Sequence, residues 1–459
     1  MIPNLEQTCF NAWLKYKNKE LLYEFGQQYI NFLSKNKTER ETVAFIKQLL
    51  WQCNFSHDFK ENLVFRTLHN KSLFIARKGQ IPLVGGVRLI CAHVDTPHLD
   101  LKQRPLYQDC ELALAKTHYY GGIKKYHWLA IPLALHGVVI KQDGQKIEIV
   151  IGEKENDPVF TISDLLPHLS AKELEKKIKD GFEAEKLNVI LGHIPGKSEN
   201  KEHPDQNKSI KKQILKILFN QYGIKEEDLY SAELQLVPAG KARFVGLDKG
   251  LIGGYGQDDR CCVFTALRAF LDQEETPLYT QILMFWDKEE IGSDGSTGAK
   301  SLFLEYCLED LLNHWQQHKV KLAQIFYNLK AISADVHAPI DPNYQDAFDK
   351  LNCARLGYGP VFAKFTGHKG KYGANDAHAE YVAWFRHFLN QKNIPWQMAE
   401  LGKVDLGGGG TVAKFLASYG CNVIDFGPAV LSMHSPFEVT SLIDVYSTYR
   451  AYKNFLAVP

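Results

Sequence analysis

The sequence predicts an α/β fold: a mainly parallel sheet flanked by helices, carrying an inserted, mostly β second domain. Three observations predict it. Short apolar runs rich in β-branched and large side chains, "VRLICAH", "YTQILMFWD", "LKAISADVH" and "NVIDFGP", alternate with helical patterns, "DRCCVFTALRAFLDQ", "SLFLEYCLEDLLNHW", "AHAEYVAWFRHFLNQK" and "GTVAKFLASYG". Each apolar run passes directly into polar groups, as the strands of an open α/β sheet do where ligands collect beyond their carboxyl ends. The stretch from about residue 101 to residue 245 breaks this rhythm, with "WLAIPLALHGVVIKQDGQKIEIVIGE" reading as hairpin strands around an Asp143–Gly144 turn.

Taken in order, the chain opens with helices. "LLYEFGQQYINFLSKNK" and "TERETVAFIKQLLWQC" space their apolar residues by three and four, and Thr38 followed by Glu41 has the spacing of a capping box. "VRLICAH" is then a buried strand ending in His93. The middle segment adds its hairpin, a charged helical stretch at 172–180, and a polar loop at 196–209, "GKSENKEHPDQNKS", which is the best candidate for disorder. Residues 1–100 and 246–459 are therefore expected to form the α/β domain and 101–245 the insert. His93, the acidic run Asp287 to Glu290, Asp335 and the residues after Asp425 should emerge at one end of one sheet.

Composition narrows the function. A length of 459 residues suits two or three domains or one domain with an insertion, and a formal net charge of +1 provides no long-range attraction to nucleic acid or anionic membrane. The basic runs at 172–180 and 207–218 carry apolar residues at helical spacing and read as solvated helix faces. No run approaches the roughly 20 apolar residues of a membrane span. The first residues include Glu6 and no apolar segment of signal-peptide length, and the nine cysteines are scattered without a C-x-x-C. These features predict a cytoplasmic protein with reduced thiols.

Five segments place ligand-type side chains where strands end or helices begin: "CAHVDTP" (His93, Asp95), "GQDDRC" (Asp258, Asp259), "DKEEIGS" (Glu289, Glu290), "ISADVHA" (Asp335) and "LSMHSPFE" (His434). Singly, each has an ordinary reading. A strand-end histidine is often hydrogen-bonded, and Asp258 has the position to cap the helix that starts at Asp259. Jointly, two histidines and several carboxylates suit zinc or another borderline divalent ion, and a carboxylate can bridge two of them. Adjacent carboxylates at the end of a buried strand are costly unless neutralised, so in Glu289–Glu290 one binds metal and its neighbour acts as general acid/base. Two metals polarise a carbonyl and activate water at neutral pH.

These segments resemble the aspartyl aminopeptidase / aminopeptidase I family of zinc metallopeptidases, from about Val87 to the C-terminus. "CAHVDTPHLDLK" is similar to the family's His-x-Asp-Ser-Pro segment and "YYGGIKK" to its Tyr-Gly-Gly-Gly stretch. "DKEEIGSDGSTGAKSL", "ISADVHAPIDPNY" and "LSMHSPFE" resemble its Glu-Glu, Ser-Ala-Asp…Pro-Asn-Tyr and Met-His-Ser-x-x-Glu motifs. The resemblance implies a co-catalytic zinc-peptidase domain and an inserted oligomerisation domain. It implies two divalent ions per subunit, zinc with cobalt or manganese as alternatives, held by His93, Asp258, Glu290, Asp335 and His434 with Asp258 bridging. Glu289 would be the catalytic base, and Asp95 would orient His93 from behind. Lys364 and Tyr372, in "GPVFAKFTGHKGKYG", match a family lysine and tyrosine near the substrate, Tyr372 as an oxyanion donor. His168 matches a family histidine of the insert that reaches a neighbouring subunit's active site. The implied substrates are short peptides, with acidic first residues preferred, and the implied assembly is a tetrahedral dodecamer built from dimers, with no nucleic acid or membrane partner.

The chain departs from the family at "WLAIPL" (Trp128 to Leu133), where Ala130, Ile131 and Pro132 stand in place of an acidic-arginine trio. Asp341 stands where the family has histidine, and Gly407 to Gly410 form an unusually glycine-rich loop. These departures mark a divergent, bacterial-type branch. Two other readings stand beside an aminopeptidase: a deacylase or carboxypeptidase of the wider co-catalytic zinc group, and a non-catalytic structural homologue.

Overall fold

The computed structural model describes residues 9–196, 209–315 and 320–458. The loop expected to be disordered thus lies outside the described residues except for Gly196 and Ser209. The chain divides into two compact units, one of Met1–Thr96, Lys241–Met433 and Phe437–Pro459, the other of Pro97–Gly240 with His434–Pro436. No helix of the described residues is long and apolar enough to cross a membrane.

The first unit is built on an eight-stranded sheet in the order Leu63–Leu68, Ser72–Arg77, Thr280–Trp286, Val87–His93, Leu329–Ser333, Asn422–Gly427, Val361–Ala363, Gln397–Met398. Its four central strands, Thr280–Trp286 through Asn422–Gly427, are parallel, as the alternation of strands and helices predicts. The Leu63–Leu68 and Ser72–Arg77 hairpin and the Val361–Ala363 strand join it antiparallel. Alternation along the Thr280–Trp286 strand sorts side chains between two cores. Leu283 and Phe285 face the helices Lys19–Lys35, Gln257–Leu271 and Leu442–Ala457, while Ile282, Met284 and Trp286 face Phe303–Trp315 and Leu322–Asn328. Both faces are dry, which is why these strands read as continuous apolar runs. A four-stranded sheet of Arg243–Val245, Leu251–Gly254, Glu438–Ser441 and Val430–Leu431 completes this unit.

The second unit is a six-stranded antiparallel sheet with the helix Ile210–Tyr222. Its hairpin pairs Leu133–Ile140 with Lys146–Ile151 through the predicted turn, where Gly144 has φ 82°. Gly223, at φ 67°, ends the helix in the left-handed conformation that glycine adopts without steric cost.

Several elements differ from the sequence expectation. The charged stretch at 172–180 is not one helix but two short turns, Ala171–Leu174 and Ile178–Gly181, because Lys177 is extended (ψ 142°) between them. The helix in "GTVAKFLASYG" shrinks to Ala413–Ala417. Asp258 is not a helix cap. Its backbone is non-helical (φ −81°, ψ 105°), and Gly256, at φ 74°, occupies the N-cap position of the helix Gln257–Leu271. The strands Leu63–Leu68 and Ser72–Arg77 lack a turn signal in the sequence, although His69 and Asn70, at φ 52° and 53°, give the three-residue connection between them a left-handed turn.

The helix start at Thr38 is as read. Its Oγ1 accepts the Glu41 N–H at 3.2 Å, and Glu41 Oε2 accepts the Thr38 N–H at 3.0 Å. Replacing Thr38 with alanine is expected to destabilise the protein by ~1 kcal/mol, and serine is expected to restore most of that loss. Urea-unfolding midpoints of Thr38→Ala and Thr38→Ser compared with the parent check both.

Candidate metal centre

Two parallel strands and one turn deliver the central side chains of the first unit. His93 is the last residue of Val87–His93, and Asp335 lies two residues beyond Leu329–Ser333, the neighbouring strand. Asp258 follows the Leu251–Gly254 strand through the turn at Gly256, where a Cβ would sit 1.5 Å from Arg260 Nη2, so only glycine fits. The Asp258–Asp259 peptide bond is cis. His93, Asp258 and Asp335 each offer a ligand atom, all within 4.8 Å of one another.

His93 is oriented for ligation. Its Nδ1 lies 3.0 Å from the Asp95 carbonyl oxygen, which accepts the Nδ1–H, while Nε2 faces Asp258 Oδ1 at 3.1 Å and Asp335 Oδ1 at 3.8 Å. Asp258 is held through its backbone as well. Its N–H donates to Glu438 Oε2 at 3.2 Å, and its carbonyl oxygen accepts from Thr96 Oγ1 at 3.0 Å. Asp259, fully buried, accepts the His93 N–H at 3.3 Å.

Glu289 and Glu290 follow the Thr280–Trp286 strand on a short 3-10 turn, Glu289–Ile291, which Lys288 enters at φ 68°. The Asp95 carboxylate fastens that turn: Oδ1 accepts the Glu289 N–H and Oδ2 the Glu290 N–H, both at 3.1 Å, while Oδ1 lies 3.3 Å from His93 Nδ1. Asp95 therefore touches both the first imidazole and the Glu-Glu pair, whereas the sequence tied it to His93 alone. Asp287 at the strand end is buried rather than aimed outward. It accepts from Thr297 Oγ1 at 2.5 Å, and burial, reinforced by Glu39 and Asp95, raises its carboxyl to about 7.

In the second unit, His434 has a left-handed backbone (φ 64°), and its Nδ1 lies 3.0 Å from the Gly122 carbonyl oxygen. A Cβ on Gly122 would approach that nitrogen to 3.3 Å, which accounts for the glycine of "YYGGIKK". His168 is exposed on the turn Pro167–Leu169. Lys364 and Tyr372 lie on the segment that follows the strand Val361–Ala363. Val361–Ala363 runs antiparallel to Asn422–Gly427, with Val361 opposite Gly427 and Ala363 opposite Asp425, so the chain heads for the amino ends of the parallel strands. Lys364 Nζ pairs with Asp376 at 2.6 Å, and Tyr372 is 73% exposed.

The electrostatics call for a cation. Burial raises the carboxyls of Asp259 and Asp335 well above the usual range, and each is pushed further by neighbouring aspartates. Burial alone would lower His93, but its hydrogen bonds to Asp258 and Asp95 prevail and raise it well above the ordinary histidine value. One imidazole among several buried carboxylates, with its free nitrogen turned toward them, is a donor set that fits zinc.

The family model for aminopeptidase I zinc metalloprotease (M18) matches residues 32–456. The chain belongs to that family. It is 48% identical over 453 residues to a probable M18 family aminopeptidase 1 of Thermotoga maritima, covering 97% of this chain and 98% of the relative. The crystal structure of the Thermotoga maritima M18 aminopeptidase superposes with a TM-score of 0.93 at 47% identity, covering 98% of this chain and 99% of that one. Aminopeptidase I from Clostridium acetobutylicum gives 0.90 at 43%, covering 98% and 100%. The M18 chain is thus a zinc metalloaminopeptidase in class, which sets aside the deacylase, carboxypeptidase and non-catalytic readings.

Two M18 side chains were present in the sequence segments without a role. Asp259 was read only as the partner of Asp258, and Glu438 only as the last letter of "MHSPFE". Their burial among polar groups, which gives them their place, has no signature in a single sequence.

If His93 and Asp335 bind zinc, their raised proton affinity makes that binding compete with protons. Titrating metal-free protein with zinc at pH 7 is therefore expected to release protons, and less so as the pH rises through the titration of those groups. Calorimetry in buffers of different ionisation enthalpy measures that release.

Proposed function

We propose that this M18 chain removes the first residue of short peptides using two divalent ions, zinc natively, with cobalt or manganese able to substitute. The observation that carries the proposal is the convergence of His93, Asp258 and Asp335 on one small volume at the carboxyl ends of parallel strands. In this reading His93, Asp258 and Asp335 would hold one ion, and the family resemblance assigns Asp258, Glu290 and His434 to the other. The left-handed backbone of His434 and the engagement of its Nδ1 support Nε2 as its ligand atom.

When bound, the ions polarise the scissile carbonyl and make water acidic enough to attack it near neutral pH. Glu289 accepts the proton of the attacking water and passes it to the leaving amine. The grip of Asp95 on the Glu289 and Glu290 N–H groups supports this division, because it fixes the turn that carries both carboxylates. The free amine of the substrate lies beside Glu290 and Asp335, which makes the enzyme an exopeptidase.

The finer parts of the proposal rest on the family resemblance. They are a preference for acidic first residues, substrate contacts by Lys364, Tyr372 and a neighbour-directed His168, a catalytic role for residues 1–100 and 246–459, an oligomerising role for 101–245, cytoplasmic residence and a dodecamer built from dimers. Leu165, Leu166, Leu169, Leu174 and Ile178, all exposed within the second unit, support a partner surface there. Asp376 bears on the acidic preference, since it already engages both Lys364 and Lys371, at 2.6 and 2.9 Å.

Glu289→Gln is expected to keep its metal while losing turnover by at least ~100-fold, the scale of a general base. Metal analysis and single-turnover kinetics test this, and retained turnover would refute the base assignment. Peptides with blocked amines should resist cleavage. A panel of aminoacyl amides with Asp, Glu, Leu or Ala in first position ranks the preference.

A further inference from the structure

Glu438 is fully buried on the strand Glu438–Ser441, directly opposite Gly254 in the antiparallel pair with Leu251–Gly254. Beyond Gly254 the chain turns at Gly256 and comes back over the Glu438 side chain. A single carboxylate oxygen, Oε2, then accepts two consecutive N–H groups, that of Gln257 at 2.6 Å and that of Asp258 at 3.2 Å. Gln257 locks the same strand a second time, because its Nε2 donates to the Glu438 carbonyl oxygen at 2.7 Å and to the Ile252 carbonyl oxygen at 3.1 Å. Tyr29, from the first long helix, donates to Gln257 Oε1 at 3.2 Å.

We infer that Glu438 is a positioning residue for the metal centre: its carboxylate fixes the backbone of Asp258 so that the shared ligand meets both ions. This rests on the reading of Asp258 as a ligand given above. The physical basis is reach. Asp258 begins a helix without helical backbone angles, so the regular hydrogen-bond ladder does not hold its N–H. With Thr96 on the carbonyl side and Glu438 on the N–H side, both polar groups of the Asp258 backbone are pinned. A ligand held at both ends presents its carboxylate at a fixed angle, and loss of such outer partners typically weakens metal binding.

The acceptor oxygen, not the charge, does this work, which two nearly isosteric variants separate. Glu438→Gln removes the charge and keeps an acceptor at the same distance. Glu438→Asp keeps the charge and withdraws the acceptor by one methylene. The full-length zinc-loaded protein is challenged with a chelator, and the cobalt-substituted protein is examined by its visible electronic spectrum. Glu438→Asp is expected to lose zinc ~10–100-fold faster than the parent and to show an altered cobalt spectrum, while Glu438→Gln stays close to the parent in both. Parental zinc retention and cobalt spectrum in Glu438→Asp, or greater loss in Glu438→Gln than in Glu438→Asp, overturns the inference. Asp258→Asn separates it from the underlying reading. If that variant keeps both ions as firmly as the parent, Asp258 is not a ligand; if it loses metal while Glu438→Asp does not, only the role of Glu438 fails.

Discussion

The structure of the first unit is organised around an excess of buried negative charge. His93, Asp258, Asp259 and Asp335 lie together, with Asp258 and Asp259 almost wholly removed from solvent. Two carboxylates 4 to 5 Å apart repel by about 3–4 kcal/mol at an effective dielectric of 20, and removing each from water costs several kcal/mol more. A protein keeps such an arrangement when a cation offsets it. The raised carboxyls of Asp259 and Asp335 express the same excess of negative charge. The fold supplies the place for it, since parallel strands covered by helices on both faces open only at their ends, and the carboxyl ends bring His93 and Asp335 side by side.

Holding these groups against their mutual repulsion falls to backbone N–H donors. Asp95 accepts two consecutive N–H groups, those of Glu289 and Glu290, and Glu438 accepts two more, those of Gln257 and Asp258. In both places a buried carboxylate is solvated by the chain in place of water, and a turn is fixed as a result. Both turns are entered through a left-handed residue, Lys288 in one and Gly256 in the other. The glycine is dictated by the Arg260 guanidinium, which fills the space that a side chain at position 256 would need. Local backbone conformation and carboxylate solvation are thus one problem solved twice, at Asp258 and at Glu290.

Much of this was legible in the sequence because it follows local rules. The four parallel strands are dry on both faces and therefore read as unbroken apolar runs, and the capping box at Thr38 and the turn at Asp143–Gly144 carry residue-specific signals. The ligand-type residues were legible because strand ends punctuate apolar runs with charge. The Leu63–Leu68 and Ser72–Arg77 hairpin was not read, because its turn, His69–Asn70, lacks the glycine that usually advertises one. The stretch at 172–180 reads as one helix but forms two short ones, because apolar spacing persists through Lys177 even though the backbone there is extended. Glu438 could not be singled out, because its function depends on strand pairing between segments nearly two hundred positions apart in the chain.

Motif order and sheet direction also carry different information, and Lys364 shows the consequence. His93 and Asp335 both leave strands that run the same way, so sequence adjacency to a strand end is enough to bring them together. The segment bearing Lys364 resembles the family just as closely, yet the strand before it runs antiparallel, from Gly427 back toward Asp425. Beyond Ala363 the chain doubles back, with Phe365 bridged to Asp376 and His368 to Tyr372, and returns beside the start of the Asn422–Gly427 strand. Ala377 donates its N–H to the Lys364 carbonyl oxygen, Asn375 donates to the Val423 carbonyl oxygen, and His378 Nε2 lies 2.8 Å from Asn422 Oδ1, at the start of that neighbouring strand. A lysine that leaves its strand in this direction, and that Asp376 meets with an opposite charge, is placed by topology rather than by its motif. Strand polarity, which no single-sequence pattern encodes, therefore sets the direction in which Lys364 leaves the sheet.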